Sequence, residues 1–295
     1  MNPELNNKDW TTAEPIGVEL SLSNTAIMLG EPLVLYYTVT NAWSEVIDTY
    51  MGMDLEGWLT FRLVGAAGQA VSILLDPRVQ NPGGIHTNGA RVSPHSYFRG
   101  HVVLSQRFAM TQVGEYQLSV QVHLPFAPDE REGFIRPEQF EETYGTVFKA
   151  EHSFQVSVTD ADPARLRAIA EELANQFIER LPYSELVQIE ALFSMPEEYA
   201  LEGWLVVAHA PNLQGFLRQE VAKELTRLSS ITAADILADM TWKPAQPPEP
   251  NGLGSTWSPL HNMYFSAGLE LKQHIETLFK EHNQALLDAP ILITD

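Results

Sequence analysis

The chain contains no cysteine. Disulfide frameworks, thiolate metal sites and cysteine nucleophiles are therefore all excluded. Basic residues are scarce: 18 Lys and Arg stand against 38 Asp and Glu, for a formal net charge of −20. The deficit is shared, about −9 over residues 1–158 and −11 over the remainder. Nucleic acids need Lys/Arg patches to displace counterions, and no basic run is present. Nucleic-acid binding and adhesion to an anionic membrane are not expected. Long apolar runs are missing too, so no stretch can insert into a membrane as a helix. The first ten residues are polar and show no basic segment followed by an apolar one, so no signal peptide is visible. The sequence as it stands reads as cytoplasmic; the alternative is an exported protein whose signal has been removed.

What is present is ordinary globular composition, 44% hydrophobic over 295 residues. That length suggests two domains. The hydrophobic pattern changes period near residue 160. Val18, Leu20 and Leu22 alternate with Glu19, Ser21 and Ser23, as in a half-buried strand. Ala26 to Asn41 follows, punctuated by Gly30 and Pro32. Further strands are predicted at 46–51, 57–64, 69–74, 101–108, 115–124 and 146–158. Short strands joined by turn residues point to an antiparallel β-sandwich. Two long stretches, 76–100 and 125–145, read as loops, and loops of that length in a compact domain are either functional or disordered.

Leu29-Gly-Glu-Pro-Leu-Val-Leu with Tyr37-Thr-Val-Thr-Asn41 resembles the opening hairpin of bacterial immunoglobulin-like (Ig-like) domains. Val113-Gly-Glu-Tyr-Gln-Leu-Ser-Val resembles their penultimate strand. The resemblance implies an Ig-like domain over residues 12–159. It says little of function, since such domains serve as spacers, adhesin modules, enzyme-appended domains and, in one group, proteinase inhibitors.

After Phe154 the pattern turns helical. Asp162-Pro163 is a helix start, with Asp as cap and Pro at the first helical position. Leu166, Ile169, Ala170, Leu173 and Phe177 recur at helical spacing over about 19 residues. Ser194-Met-Pro-Glu197 fits a capping box, and Thr232-Ala-Ala-Asp235 a looser one, stapled by Ile231 and Ile236. Amphipathic stretches at 183–193 and 213–228 lie between them. Ser258-Pro259 opens a final long helix with Gly268 inside it; Asn283 and Pro290 are stop signals. Segments around Ala191–Leu201 and Arg218–Leu225 resemble degenerate HEAT repeats, which implies antiparallel helix pairs over residues 162–295 and a face for a protein partner.

Motifs that carry chemistry are few. The phosphate-cradle, nucleophile-elbow and His-Glu-x-x-His patterns are all missing, and Gly252-Leu-Gly254 lacks the context of a dinucleotide loop. No cofactor is expected. His86, His95 and His101 are candidate zinc ligands, with solvent-exposed loop histidines as the plainer reading. Asp129 and Glu132, near Glu138, Glu141 and Glu142, are candidate calcium ligands, against a solvated acidic loop. Asp160 and Asp162 are a further candidate pair, although capping already accounts for Asp162. No catalytic residue is assigned. The candidate partner-binding residues are Trp242 and Trp257, which flank a proline-rich segment, and Phe134, Phe140 and Tyr144 in the acidic loop.

These features favour a non-enzymatic protein-binding or scaffolding protein whose acidity steers a partner with a basic surface. The alternatives are a hydrolase-type enzyme with a site between the domains, and a proteinase inhibitor acting through the sandwich loops. The oligomeric state is left open.

Overall fold

The computed structural model describes residues 16–50, 58–65, 68–74, 89–128, 146–181, 187–211, 213, 215–228, 230–242 and 259–281. The chain divides into two compact units, Met1–Ala161 and Asp162–Asp295.

The first unit is built from strands whose side chains alternate between core and solvent. Strands β1 (Ile16–Leu22), β3 (Val34–Asn41) and β7 (Tyr97–Val103) form one antiparallel sheet, with β3 in the middle. The second sheet has the order β2-β9-β8-β4-β6, with β2 (Ala26–Met28), β4 (Ile47–Tyr50), β6 (Gly89–Val92), β8 (Gly114–Pro128) and β9 (Thr146–Thr159). Strand β5 (Leu59–Val64) also pairs with β8. β4 meets β8 at residues 126–128 and β5 meets it at 117–122, so the two lie end to end on one edge of β8. Between Leu22 and Ala26 the chain leaves the first sheet and runs parallel to β9 in the second.

The inner faces of both sheets supply one core, in which Ile16, Leu35, Leu59, Leu118, Leu124 and Val156 are buried. Each such side chain contributes about 1.5–3 kcal/mol by leaving water. Trp58 lies at the centre, edge-on to Tyr37 with ring centroids 4.9 Å apart. Gly100 is required beneath that tyrosine, because a Cβ there would stand 2.2 Å from the Tyr37 hydroxyl. At the start of β8 the Tyr116 hydroxyl donates to the Gln112 carbonyl at 2.6 Å. This is the tyrosine corner of Ig-like sandwiches, where a strand-opening Tyr ties down the preceding connection. The first unit is an Ig-like β-sandwich.

Two strand expectations, 69–74 and 101–108, and two loop expectations, 76–100 and 125–145, need correction. Residues 69–74 form only isolated bridges, Val64 to Ala70 and Ile73 to Phe108, and Ile73 and Leu74 are exposed. The stretch 76–100 is not a loop throughout, because β6 and the start of β7 fall within it. β7 therefore begins before His101 and ends at Val103, where a 3-10 turn spans Leu104–Gln106. The stretch 125–145 likewise holds the last residues of β8.

The second unit contains helices α1 (Pro163–Glu179), α2 (Val187–Ser194), α3 (Glu197–Ala208), α4 (Gly215–Leu228), α5 (Ile231–Trp242), α6 (Pro259–Ser266) and α7 (Leu269–Glu281). Asp162 caps α1 by accepting from the backbone N–H of Ala164 and Arg165. Leu166, Ala170, Ala174 and Phe177 form its buried stripe. α1 packs on α3. The crossing is tight at Gly203, where a Cβ would stand 2.6 Å from the Ala170 carbonyl oxygen.

The other helix starts differ from their sequence signals. Ser194 donates back to the Ala191 carbonyl at 2.7 Å and so closes α2 instead of capping α3. The N-cap of α3 is Pro196, with no side-chain cap. α5 is capped by Ser230, which accepts from the Ala233 N–H at 3.0 Å, two residues before the expected Thr232. The final long helix is two helices broken at Ala267-Gly268, where the Gly268 carbonyl takes the Lys272 N–H. Glycine's large entropic cost in a helix interior marks the break.

Candidate functional site

Several residues singled out from the sequence lie outside the described residues: Trp257, Phe134, Phe140, Tyr144, His86, Asp129 and Glu132. Trp242 ends α5, and its side chain also lies outside them. His95 occupies the turn between β6 and β7 at φ 52°, a left-handed conformation that His tolerates. His101 sits within β7 opposite Tyr36. The extended run from Tyr97 to His101 spans roughly 13 Å. The structure thus does not bring His95 and His101 together, since a zinc ion binds each ligand at ~2 Å. Among the described residues no three His, Asp or Glu side chains converge to hold a metal. One oxygen of Asp162 is engaged in capping α1.

The charged groups of the helical unit have a definite arrangement. α5 carries Asp235 and Asp239 one turn apart, each facing a histidine. His274 of α7 lies 2.7 Å from Asp235, and His209 at the end of α3 lies 3.7 Å from Asp239. His209 Nδ1 also lies 2.8 Å from the Leu205 carbonyl, an acceptor only, so that nitrogen carries the proton. Elsewhere Glu202 pairs with Arg167, Glu220 with Lys223, and Glu224 with Arg227. Arg218 of α4 donates to the Met240 carbonyl in the last turn of α5, and burial pushes its guanidinium below its usual value. The Tyr264 hydroxyl donates to Glu276 at 2.9 Å; that bond, with some burial, raises its pKa.

The solvent face of α1 is different. Glu171, Glu172 and Glu179 are exposed there, with Asn175 and Gln176 between them and Ala168 one turn before. The stripe covers three turns, about 16 Å at 1.5 Å per residue. Gln176 donates to Glu172 at 3.0 Å, and no cation pairs with these three carboxylates among the described residues. α1 is capped at its start and buried along its opposite side, so the stripe is held on a fixed support.

A second exposed surface lies on the sandwich, on the outer side of the β1-β3-β7 sheet. Tyr36 and Tyr97 are 40% and 58% exposed there, although large rings usually seek cover. The Arg99 guanidinium lies over the Tyr97 ring, 4.6 Å from its centroid. Sequence reasoning missed these residues. Tyr36 occupies the polar phase of an otherwise apolar strand, and that was the available signal. Tyr97 and Arg99 fell inside a stretch read as loop.

No protein-family model and no curated protein matches the chain. Solved structures do. The PapD-like domain 7 of human CEP192 is 13% identical over 52% of this chain and 92% of its own length, with a TM-score of 0.26. The CARDB domain of a Pyrococcus furiosus protein, solved with di-metal ions, is 13% identical over 50% of this chain and 94% of that one, with a TM-score of 0.23. The Salmonella enterica SafA pilin–SafB chaperone complex gives 13% identity, 53% and 61% coverage and a TM-score of 0.23. Scores this low carry no argument about ligands or partners. The Ig-like architecture rests on the strand order and the tyrosine corner of this chain.

Proposed function

We propose that the chain is a non-enzymatic protein-binding or scaffolding protein whose helical unit presents an acidic face to a partner with a basic surface. The observation that carries this reading is the α1 stripe. Glu171, Glu172 and Glu179 are exposed on one face of α1 and none of them forms an ion pair among the described residues, whereas Glu202, Glu220 and Glu224 pair with Arg or Lys. Their repulsion is relieved when a cationic surface docks. The net charge of −20 extends the same field and speeds encounter with a basic partner. The sandwich serves as a rigid platform. The short connection between α4 and α5, which pack on one another, supports reading them as a HEAT-type antiparallel pair.

Parallel capture tests the reading, with the wild-type chain and the Glu171→Lys/Glu172→Lys/Glu179→Lys variant as baits and mass spectrometry as readout. Exposed ion pairs contribute about 0.2–1 kcal/mol each. Three together predict that a basic protein is retained roughly ten-fold better by the wild type. Equal recovery of every captured protein by the two baits would remove the acidic face from the account.

A further inference from the structure

The exposed rows of the β1-β3-β7 sheet follow from its register. One row is Gly17–Thr40–Tyr97, the next Glu19–Thr38–Arg99, and the third Ser21–Tyr36–His101. Their side chains alternate with Val18, Leu35, Tyr37, Val39 and Val102, which are buried in the core. Beyond the third row the same phase reaches Val34 and Val103, which are buried, so the open face ends there.

Within this face the outer strands are opposites. β7 carries large and cationic groups, Tyr97 and Arg99. β1 carries small and anionic ones, Gly17, Glu19 and Ser21. Gly17 is not explained by the sandwich itself. Its φ lies outside the left-handed region, and a Cβ would meet only the Thr40 Cβ at an ordinary 3.9 Å. Glycine weakens a strand interior, and where the fold does not require it, it marks a close approach by another chain or a ligand.

We propose that this face pairs with a second copy of the chain through a two-fold axis running along β3 in the plane of contact. Such an axis turns one sheet over onto the other with strands nearly aligned, the common geometry of stacked sheets. It keeps each row in place and exchanges its ends. Arg99 then faces Glu19 of the partner subunit, and Glu19 faces Arg99 of the partner subunit. Tyr97 fills the space above Gly17 of the partner subunit, and His101 lies over Ser21 of the partner subunit. Thr38 and Tyr36 meet their own copies on the axis. An isologous contact needs this self-complementarity, with residue i on j and j on i. The surface belongs to the sandwich, and the pairing goes beyond the acidic-face reading without depending on it.

The face measures roughly 13 Å by 10 Å between its outermost Cα atoms. That is smaller than a standard stable interface, so the dimer is weak and reversible and is populated only at high protein concentration. Each copy carries −20, and salt near physiological strength screens that repulsion over about 8 Å.

Sedimentation equilibrium of the full chain from about 10 μM to 1 mM, at physiological salt, tests the pairing. The weight-average mass should climb from 33.0 kDa toward twice that value. Glu19→Arg or Arg99→Glu alone sets like charges face to face and should weaken association about ten-fold or more. The double variant Glu19→Arg/Arg99→Glu restores opposite charges and should recover to within about three-fold of wild type. A Cβ at Gly17 meets only the Thr40 Cβ, at an ordinary 3.9 Å, so Gly17→Trp should abolish pairing with an unchanged melting temperature. A wild type that stays monomeric throughout overturns the proposal. So does a double variant weaker than either single one, or a Gly17→Trp chain that pairs as well as wild type.

Discussion

The two units place their long-range polar contacts differently, buried in the sandwich and partly exposed among the helices. In the sandwich, partners come from far away. Asn41 at the end of β3 is fully buried; its amide donates to the Glu45 carbonyl at 2.7 Å and to the Val92 carbonyl at 3.0 Å, 51 residues on. Its side-chain oxygen accepts from the Trp43 N–H at 2.9 Å. That single side chain ties β3 to the turn before β4 and to the end of β6. In the helical unit the caps at Asp162 and Ser230 and pairs such as Glu224–Arg227 are local, and the ion pairs that join helices, Arg167–Glu202, His209–Asp239 and His274–Asp235, stand partly in water. Long-range order there comes from apolar stripes and from the tight crossing at Gly203. Removing one polar group should therefore disturb the sandwich more, and adding one methyl group should disturb the helices more.

The largest effect is expected at Gly203. Gly203→Ala drives a methyl into the backbone carbonyl of Ala170, which cannot rotate away, so α1 and α3 must separate. Overpacking of this kind should cost about 3 kcal/mol in chemical denaturation. Asn41→Ala comes next. It leaves buried backbone carbonyls without donors and should cost about 2–3 kcal/mol. Gly100→Ala sharpens the contrast, because the obstacle is a side chain. It should cost about 2 kcal/mol alone and far less when Tyr37 is also Ala. A smaller effect separates the two readings of the α5 start. Ser230→Ala should cost about 1 kcal/mol, and Thr232→Ala should cost well under half of that.

The smallest effect concerns pH. His261 packs edge-on to Phe279 with centroids 5.1 Å apart, and burial pushes its pKa down. The unfolded chain then binds more protons than the folded one below about pH 6.5. Its contribution to stability is complete above that pH and is lost as pH falls toward the lower, folded value. His261→Gln should flatten the pH dependence of the melting temperature between pH 7 and 5. An unchanged slope would show that burial of this ring does not govern the acid response.

How much was legible follows the same division. Strands with clean alternation, such as Tyr116 to Val122, announce themselves, as does α1 from its Asp-Pro start. β6 was hidden because four residues give too short a pattern beside a stretch rich in Pro, Gly and Asn. Residues 69–74 misled because apolar Ile73 and Leu74 suggest a strand, but a strand needs a continuous partner that the alternation cannot supply. Ser194 matched a capping pattern, yet a serine hydroxyl can equally donate to the preceding turn, and here it does. The exposed face was least visible. Its meaning lies in the register that sets Arg99, Thr38 and Glu19 in one row, and register is a property of the folded sheet.

The acidic face of α1 is tested most directly by the salt dependence of binding to a captured, purified partner. The wild-type chain should lose about ten-fold or more in affinity between 50 and 300 mM salt, with a shallower slope for the Glu171→Lys/Glu172→Lys/Glu179→Lys variant. An affinity that ignores salt, or equal slopes for the two chains, would contradict docking through that face.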